Sequence, residues 1–306
     1  MDTLYITHPE CRLHEMGDWH PECPERLDAM ADQLLAHGLM DFLVQRTARL
    51  AADEDVLRVH RPEYLAELRR QAPAEGYFPV DADTVMNPHT LAAAYAAAGS
   101  GLTAVDAIVA GEARTAFCAV RPPGHHARPA QAMGFCFFNN IAVAAAYALE
   151  RHGLARVAII DFDVHHGNGT EEAFLHDDRV LMCSFYQHAL FPNMCAEDPG
   201  PNMINIPVPA YAEASVCRDI VTDSWLPALR AFRPELILVS AGFDGHREDE
   251  MGQLRLTEAD YAWITQQLVG VSQESAQGRI VSFLEGGYNL SALGRSAVAH
   301  IRALGE

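Results

Sequence analysis

Apolar runs of strand length alternate with longer helical patterns, and four of these runs end in groups of polar, chemically competent residues. The runs at 115–120, 156–162, 180–185, 235–240 and 279–284 are dominated by aliphatic and aromatic residues, as buried strands are. Residues 88–111, 140–153, 214–232 and 257–277 carry helical patterns between them, with 24–38 before and 291–304 closing the chain. Asn140 opens and Gly153 closes one helix, Thr257 offers a cap to another, and Pro24 suits the first turn of the earliest. This alternation predicts an α/β fold, with residues 1–306 forming a single domain on a mostly parallel, doubly wound sheet flanked by helices. No internal repeat, low-complexity tract or linker divides it. Loops at 71–87, 122–139, 187–205 and 243–256 are longer than typical connections. Three of them begin at the carboxyl end of a strand, the edge where open α/β sheets bind ligands.

Charge narrows the partners. With 22 Lys+Arg against 41 Asp+Glu the chain carries a formal net charge of −19, which repels nucleic acid and favours lysine side chains, polyamines and metal ions. Residues 1–10 lack the basic and apolar segments of a secretory leader, and the apolar stretch 141–149 is too short for a bilayer. A soluble cytoplasmic protein with no membrane partner is expected, and a homo-oligomer is left open. The seven cysteines are odd in number and form no Cys-x-x-Cys pair, so they are expected to be reduced, without a disulfide framework or a thiolate metal site.

The chemistry sits at the strand ends. After the first run comes Arg121-Pro122-Pro123-Gly124-His125-His126; after the second, Asp161-Phe162-Asp163-Val164-His165-His166-Gly167-Asn168. The fourth leads to Ala241-Gly242-Phe243-Asp244 and the last to Glu285-Gly286-Gly287-Tyr288. On an extended segment the alternate spacing of Asp161, Asp163 and His165 places all three on one face, where a carboxylate and an imidazole converge on one ion. Asp244 from a neighbouring strand offers a third ligand, and three N/O ligands with a position open is the pattern of catalytic zinc. Adjacent histidines are costly as mere packing, since each imidazole needs its own partner when buried. Beside a polarised water, one serves as general base and the other as donor or electrostatic element. The glycines before Tyr288 let its hydroxyl approach a polarised carbonyl as an oxyanion donor.

These motifs, together with the segment from Gly134-Phe135 to Asn140 and the stretch from His20 to Arg26, resemble the zinc-dependent histone deacetylase family, including its bacterial amidohydrolase members. Features such as Asn168 and the Asp81-Ala82-Asp83-Thr84 loop resemble its class II branch. The resemblance runs from about His20 to the last helix. It implies the arginase/deacetylase fold and hydrolysis of an N-acetyl amide on a lysine-like or polyamine chain. Asp163, His165 and Asp244 would hold zinc, with iron(II) as an alternative ion. His126 would be the base, His125 would be held protonated against Asp161, and Tyr288 would polarise the acetyl carbonyl. Asp161 and Ser184 would bind a structural potassium ion with the backbone of Asp163 and His165; a second monovalent site would fall near Phe174, Asp177 and Val180. Gly134, Phe135 and Phe191 would line a narrow substrate channel, with Met251 at its rim. Two departures stand out. Asn168 replaces an aspartate that class I members place behind the second histidine. Met251 stands where polyamine-selective relatives carry a glutamate, with Glu250 beside it.

Blander readings remain for other residues. His8, His14, His60, His89, His166, His188 and His246 are read as structural or surface groups, and Glu248-Asp249-Glu250 as a solvated loop that could steer cations. Three alternatives to a lysine deacetylase are an acetylpolyamine or small-amide deacylase, a binuclear manganese ureohydrolase recruiting His246, and a non-catalytic acyl-lysine binder. The ureohydrolase lacks its bridging acids here, and a binder would be expected to have lost a ligand or the tyrosine.

Overall fold

The structure, a computed structural model, describes residues 3–306. Ten strands run in chain order: β1 Thr3–Thr7, β2 Val44–Thr47, β3 Phe78–Pro79, β4 Val85–Met86, β5 Thr115–Cys118, β6 Val157–Asp161, β7 Val180–Gln187, β8 Met203–Val208, β9 Leu236–Ala241 and β10 Ile280–Leu284. The α-helices are α1 Glu25–Ala36, α2 Asp53–Val56, α3 Pro62–Gln71, α4 Thr90–Val109, α5 Asn140–Arg151, α6 Asn168–Phe174, α7 Ala214–Ile220, α8 Leu226–Phe232, α9 Glu258–Ser275 and α10 Leu290–Leu304. Eight strands form one parallel sheet in the order β2-β1-β5-β10-β9-β6-β7-β8; β3 and β4 form a separate antiparallel pair.

Both faces are covered, because the central strands are buried throughout and successive side chains point to opposite sides. On β10, Phe283 packs against Gly101 of α4, while its neighbour Ser282 hydrogen-bonds His300 of α10 at 2.8 Å. The layer containing α4 and α5 therefore lies across the sheet from α9 and α10. Caps hold α5 and α9, at α5 one residue ahead of the expected Asn140. Asn139 accepts from Ala142 N–H at 3.0 Å to start α5, and Asp260 accepts from Thr257 N–H at 2.9 Å to start α9.

Several elements differ from expectation. β1, β2 and β8 complete the sheet on its two sides but were not apparent in the apolar pattern. Every residue of β2 is at least partly exposed, and β8 includes Pro207, which cannot donate to a ladder and is tolerated because the strand lies at the edge. The expected helix 214–232 is interrupted by a π-helical turn at Val221–Trp225, just before Pro227, whose missing N–H cannot serve the carbonyl one turn back. By length and composition α4 is apolar enough to cross a membrane, contrary to the expectation from residues 141–149. Yet 72% of its apolar window is buried inside the molecule, as befits a core helix. All seven cysteines are free, five of them buried.

Candidate active site

The four polar clusters follow β5, β10, β9 and β6, which are consecutive in the sheet, so they meet at one rim although they come from distant parts of the chain. His165 Nδ1 lies 3.1 Å from Asp163 Oδ1 and 3.1 Å from Asp244 Oδ2. One ligand atom from each of these buried residues lies within 4.8 Å of the others. The remaining oxygens are fixed by the main chain, with Val164 N–H donating to Asp244 Oδ1 at 3.0 Å and Gly286 N–H to Asp163 Oδ2 at 2.8 Å. Only glycine fits at 286, since a Cβ would stand 2.0 Å from Asp244 Oδ2. Burial and the Asp163 charge push the Asp244 carboxyl up to about 6. At His165, hydrogen bonds donated to two carboxylates override burial and raise the imidazole to about 10. A cluster with this electrostatic preference is built to take positive charge.

The tandem histidines stand beside it, their ring centres 4.0 Å apart. His125 Nδ1 is 2.9 Å from Asp161 Oδ2. Behind it, Glu285 Oε2 accepts from Gly124 and His125 N–H at 2.7 and 3.1 Å, and Ser240 Oγ donates to its Oε1 at 3.0 Å. Burial alone would depress His125, but the charges of Asp163, Asp161 and Glu285 hold it well above its ordinary value. His126 is pushed the other way, by burial and by the neighbouring His125 and His165. Its Nδ1 bonds Asn168 Oδ1 at 2.8 Å, which leaves Nε2 as its free nitrogen.

A cavity of about 110 Å³ opens over these groups, with His126, His165 and Tyr288 among its lining. Phe135 and Phe191 form walls, Gly134 lies beneath Phe191, and Met251 and Asp83 complete the lining. A Cβ at Gly134 would come within 2.6 Å of the His126 ring and 2.8 Å of the Phe191 ring, and its φ of +56° is itself unfavourable for other residues. The Asp81–Thr84 loop supports the Phe135 wall: Thr84 Oγ1 accepts from Phe135 N–H at 3.1 Å, and His20, bonded to Asp83 O, sets its ring edge-on to Phe135. Burial raises the Tyr288 phenol well above its ordinary value, so its hydroxyl remains a donor at neutral pH.

One supporting network had no local signal beyond the stretch from His20 to Arg26. The guanidinium of Arg26 lies over the Tyr288 ring, 4.9 Å from its centre, and donates to Gly287 O at 2.7 Å and Glu285 O at 2.5 Å. Arg26 pairs with Glu22, which also receives a two-pronged pair from Arg121.

The histone deacetylase domain model matches residues 20–304. The chain belongs to the histone deacetylase domain family. Among its relatives, the histone deacetylase-like amidohydrolase of Pseudomonas aeruginosa is 39% identical, over 94% of this chain and 80% of that protein. A probable deacetylase of Archaeoglobus fulgidus is 36% identical, over 95% and 82%. The human polyamine deacetylase HDAC10 is 36% identical over 99% of this chain, which spans 48% of that longer protein. The crystal structure of the HDA15 HD domain superposes with a TM-score of 0.91 at 33% identity, covering 98% of this chain and 90% of that one.

Histone deacetylase family members are zinc-dependent, and Asp163, His165 and Asp244 fit such an ion: two carboxylates and one imidazole, buried and convergent, with a cavity on the open side. For monovalent ions the fit is uneven. Asp161 and Ser184 face each other as register partners on β6 and β7. At the second cradle, the carbonyls of Phe174, Asp177 and Val180 instead surround the Asn202 side-chain nitrogen at 2.9, 3.1 and 3.2 Å. His246 does not join the metal cluster. Its Nε2 is 3.5 Å from Glu258, and its Nδ1 accepts from Glu248 N–H, which leaves the binuclear alternative without a second ligand set. Within the acidic stretch expected to be a solvated loop, Asp249 is instead buried, only 6% exposed.

Proposed function

We propose that this deacetylase-family hydrolase cleaves the N-acetyl amide of a lysine-like amine, with His125, His126 and Tyr288 as its catalytic residues. The observation that carries this reading is the buried Asp163–His165–Asp244 cluster lying at the same aromatic-walled cavity as His126 and Tyr288. A bound zinc ion, or iron(II), would supply a Lewis acid for the carbonyl and make water more acidic. Phe135 and Phe191 hold the methylene stem and exclude solvent. Tyr288 donates to the carbonyl oxygen, where negative charge grows. His126, held neutral by its surroundings, accepts the water's proton at Nε2. His125, held protonated, stabilises the charge that develops, and the leaving amine receives a proton from the histidine pair. Asn168 keeps His126 oriented without adding charge. Asp161 and Ser184, with the backbone of Asp163 and His165, would hold a structural potassium ion that braces the His125 side of the site.

A second reading, deacylation of acetylated polyamines or related small amides, draws support from the acidity of the chain and from Asp83 in the cavity lining. A panel of acetyl-lysine peptides and acetylpolyamines, run with defined zinc or iron(II) and scored by acetate release, separates the two. Absence of metal-dependent acetate release from every member of the panel would overturn both. Tyr288→Phe is expected to lower kcat by about 10²–10³-fold while changing KM little. Unchanged turnover would remove the tyrosine from its assigned role.

A further inference from the structure

We propose that Asp249 is a positioning residue of this site: acting through the main-chain N–H of Tyr288, its buried carboxylate sets where the tyrosine hydroxyl stands relative to the Asp163–His165–Asp244 cluster and ties the tyrosine turn to the rim at Met251. The proposal rests on Tyr288 being the carbonyl donor. Asp249 lies on the loop between β9 and α9, beyond Asp244, and is 6% exposed. It forms no ion pair with a Lys, Arg or His among the described residues; its charge is met by main-chain donors. Oδ2 accepts from Tyr288 N–H at 2.6 Å and from Asn289 N–H at 2.9 Å, while Oδ1 accepts from Met251 N–H at 2.9 Å. The last of these is a local turn. The first two cross to a different segment and tie the tyrosine turn to the metal-ligand loop.

The turn around the tyrosine is held by charges of both signs. Its carbonyls at Glu285 and Gly287 are gripped by Arg26, and its N–H groups at Gly286, Tyr288 and Asn289 by Asp163 and Asp249. Phe243 N–H to Gly286 O at 2.9 Å and Asn289 Nδ2 to Glu248 O at 3.0 Å stitch the same two segments together. Within this lattice, Asp249 holds the backbone N–H of the tyrosine itself. A charged acceptor binds N–H groups more strongly than a neutral one, and leaving two of them without an acceptor costs each its desolvation penalty. Without the carboxylate, Tyr288 loses its tether, and a donor aimed at a developing oxyanion depends on being fixed before the reaction. The same carboxylate holds Met251, so the rim residue and the donor keep a constant spacing.

The test uses the full chain loaded with zinc, with Asp249→Asn and Asp249→Ala made alone and in a Tyr288→Phe background. Asp249→Asn keeps the volume but replaces one acceptor oxygen by a donor, so it reads the position even where the alanine variant folds poorly. With a short acetyl amine as substrate, Asp249→Asn is expected to lower kcat about tenfold, and Asp249→Ala up to about 10²-fold, with KM within about twofold. In the Tyr288→Phe background the same changes should cost kcat less than about threefold, because there is no hydroxyl left to misplace. Independently of turnover, amide hydrogen exchange at Tyr288 and Asn289 should quicken at least about tenfold in either variant. Equal losses in both backgrounds, or unchanged exchange at these amides, would overturn the proposal. Unchanged turnover in Tyr288→Phe alone would instead overturn the donor reading, leaving the exchange result to report on Asp249.

Discussion

Two buried charge clusters lie side by side beneath the same rim, and they are balanced in opposite ways. In the first, Glu22, Arg26 and Arg121 are each fully buried, and the chain supplies both signs of charge. The guanidinium groups spend their remaining donors on the carbonyls of Cys11, His14, Glu285 and Gly287. Burial alone would raise the Glu22 carboxyl, but Arg121, His14 and Arg26 hold it well below the usual carboxylate range. In the second, Asp163 and Asp244 face one imidazole, with Asp161 and Glu285 close behind His125. Repulsion shows here: burial and Asp163 push Asp244 up to about 6, and Glu285 is pushed up to about 7, chiefly by burial. A buried cluster whose counter-charge is built in serves as scaffold. One left short of positive charge is completed by an ion from outside.

The largest effect that sharpens this contrast is expected at Asp244. Asp244→Ala should abolish stoichiometric zinc and acetate release, measured by metal analysis and turnover. It should also erase the fall in Tm that chelation causes in the unaltered protein. Its metal-free form should lose less stability than the next variant does, because it relieves repulsion. Glu22→Gln leaves two buried guanidiniums without an anion, and should cost about 3–5 kcal/mol of stability in urea melts at neutral pH. The depressed Glu22 pKa gives this contribution a pH signature. It is complete above the unfolded value of 4.5 and is lost as pH falls from there toward the folded pKa, so the variant should lose less stability than the parent over that acid range. A parallel acid limb in both proteins would place the ion pair outside the scaffold. The smallest effect is expected at the half-buried rim. Met251→Glu should shift kcat/KM toward acetylpolyamines over acetyl-lysine peptides by about fivefold, the scale of a single partly exposed ion pair.

Much of the fold and of the cation site was legible because the signals are local. The alternate spacing of Asp161, Asp163 and His165, which starts at the end of β6 and runs on past it, marked them as one group, and the long loops after β5 and β9 marked the working edge of the sheet. What escaped lacked such a signal. β2 is too polar and exposed to read as a strand, and the π turn at Val221–Trp225 depends on one missing N–H within a continuous helical pattern. Asp249 lies between two other acids, and nothing in Glu248-Asp249-Glu250 distinguishes the buried carboxylate from its solvated neighbours. Asn202 likewise gives no hint that its amide enters a ring of carbonyls.

By itself, the sequence determined residue types and their short-range spacing: which side chains stand at strand ends, which face an extended segment presents, and which family the chain resembles. Those follow from backbone geometry over a few residues. Only the tertiary structure decided that β5, β10, β9 and β6 are neighbours, that Arg26 and Asp249 hold the tyrosine turn from either side, and which acids lose their water. Strand order and burial depend on contacts between distant parts of the chain. The energy of a charge depends on that burial far more than on its place in the sequence.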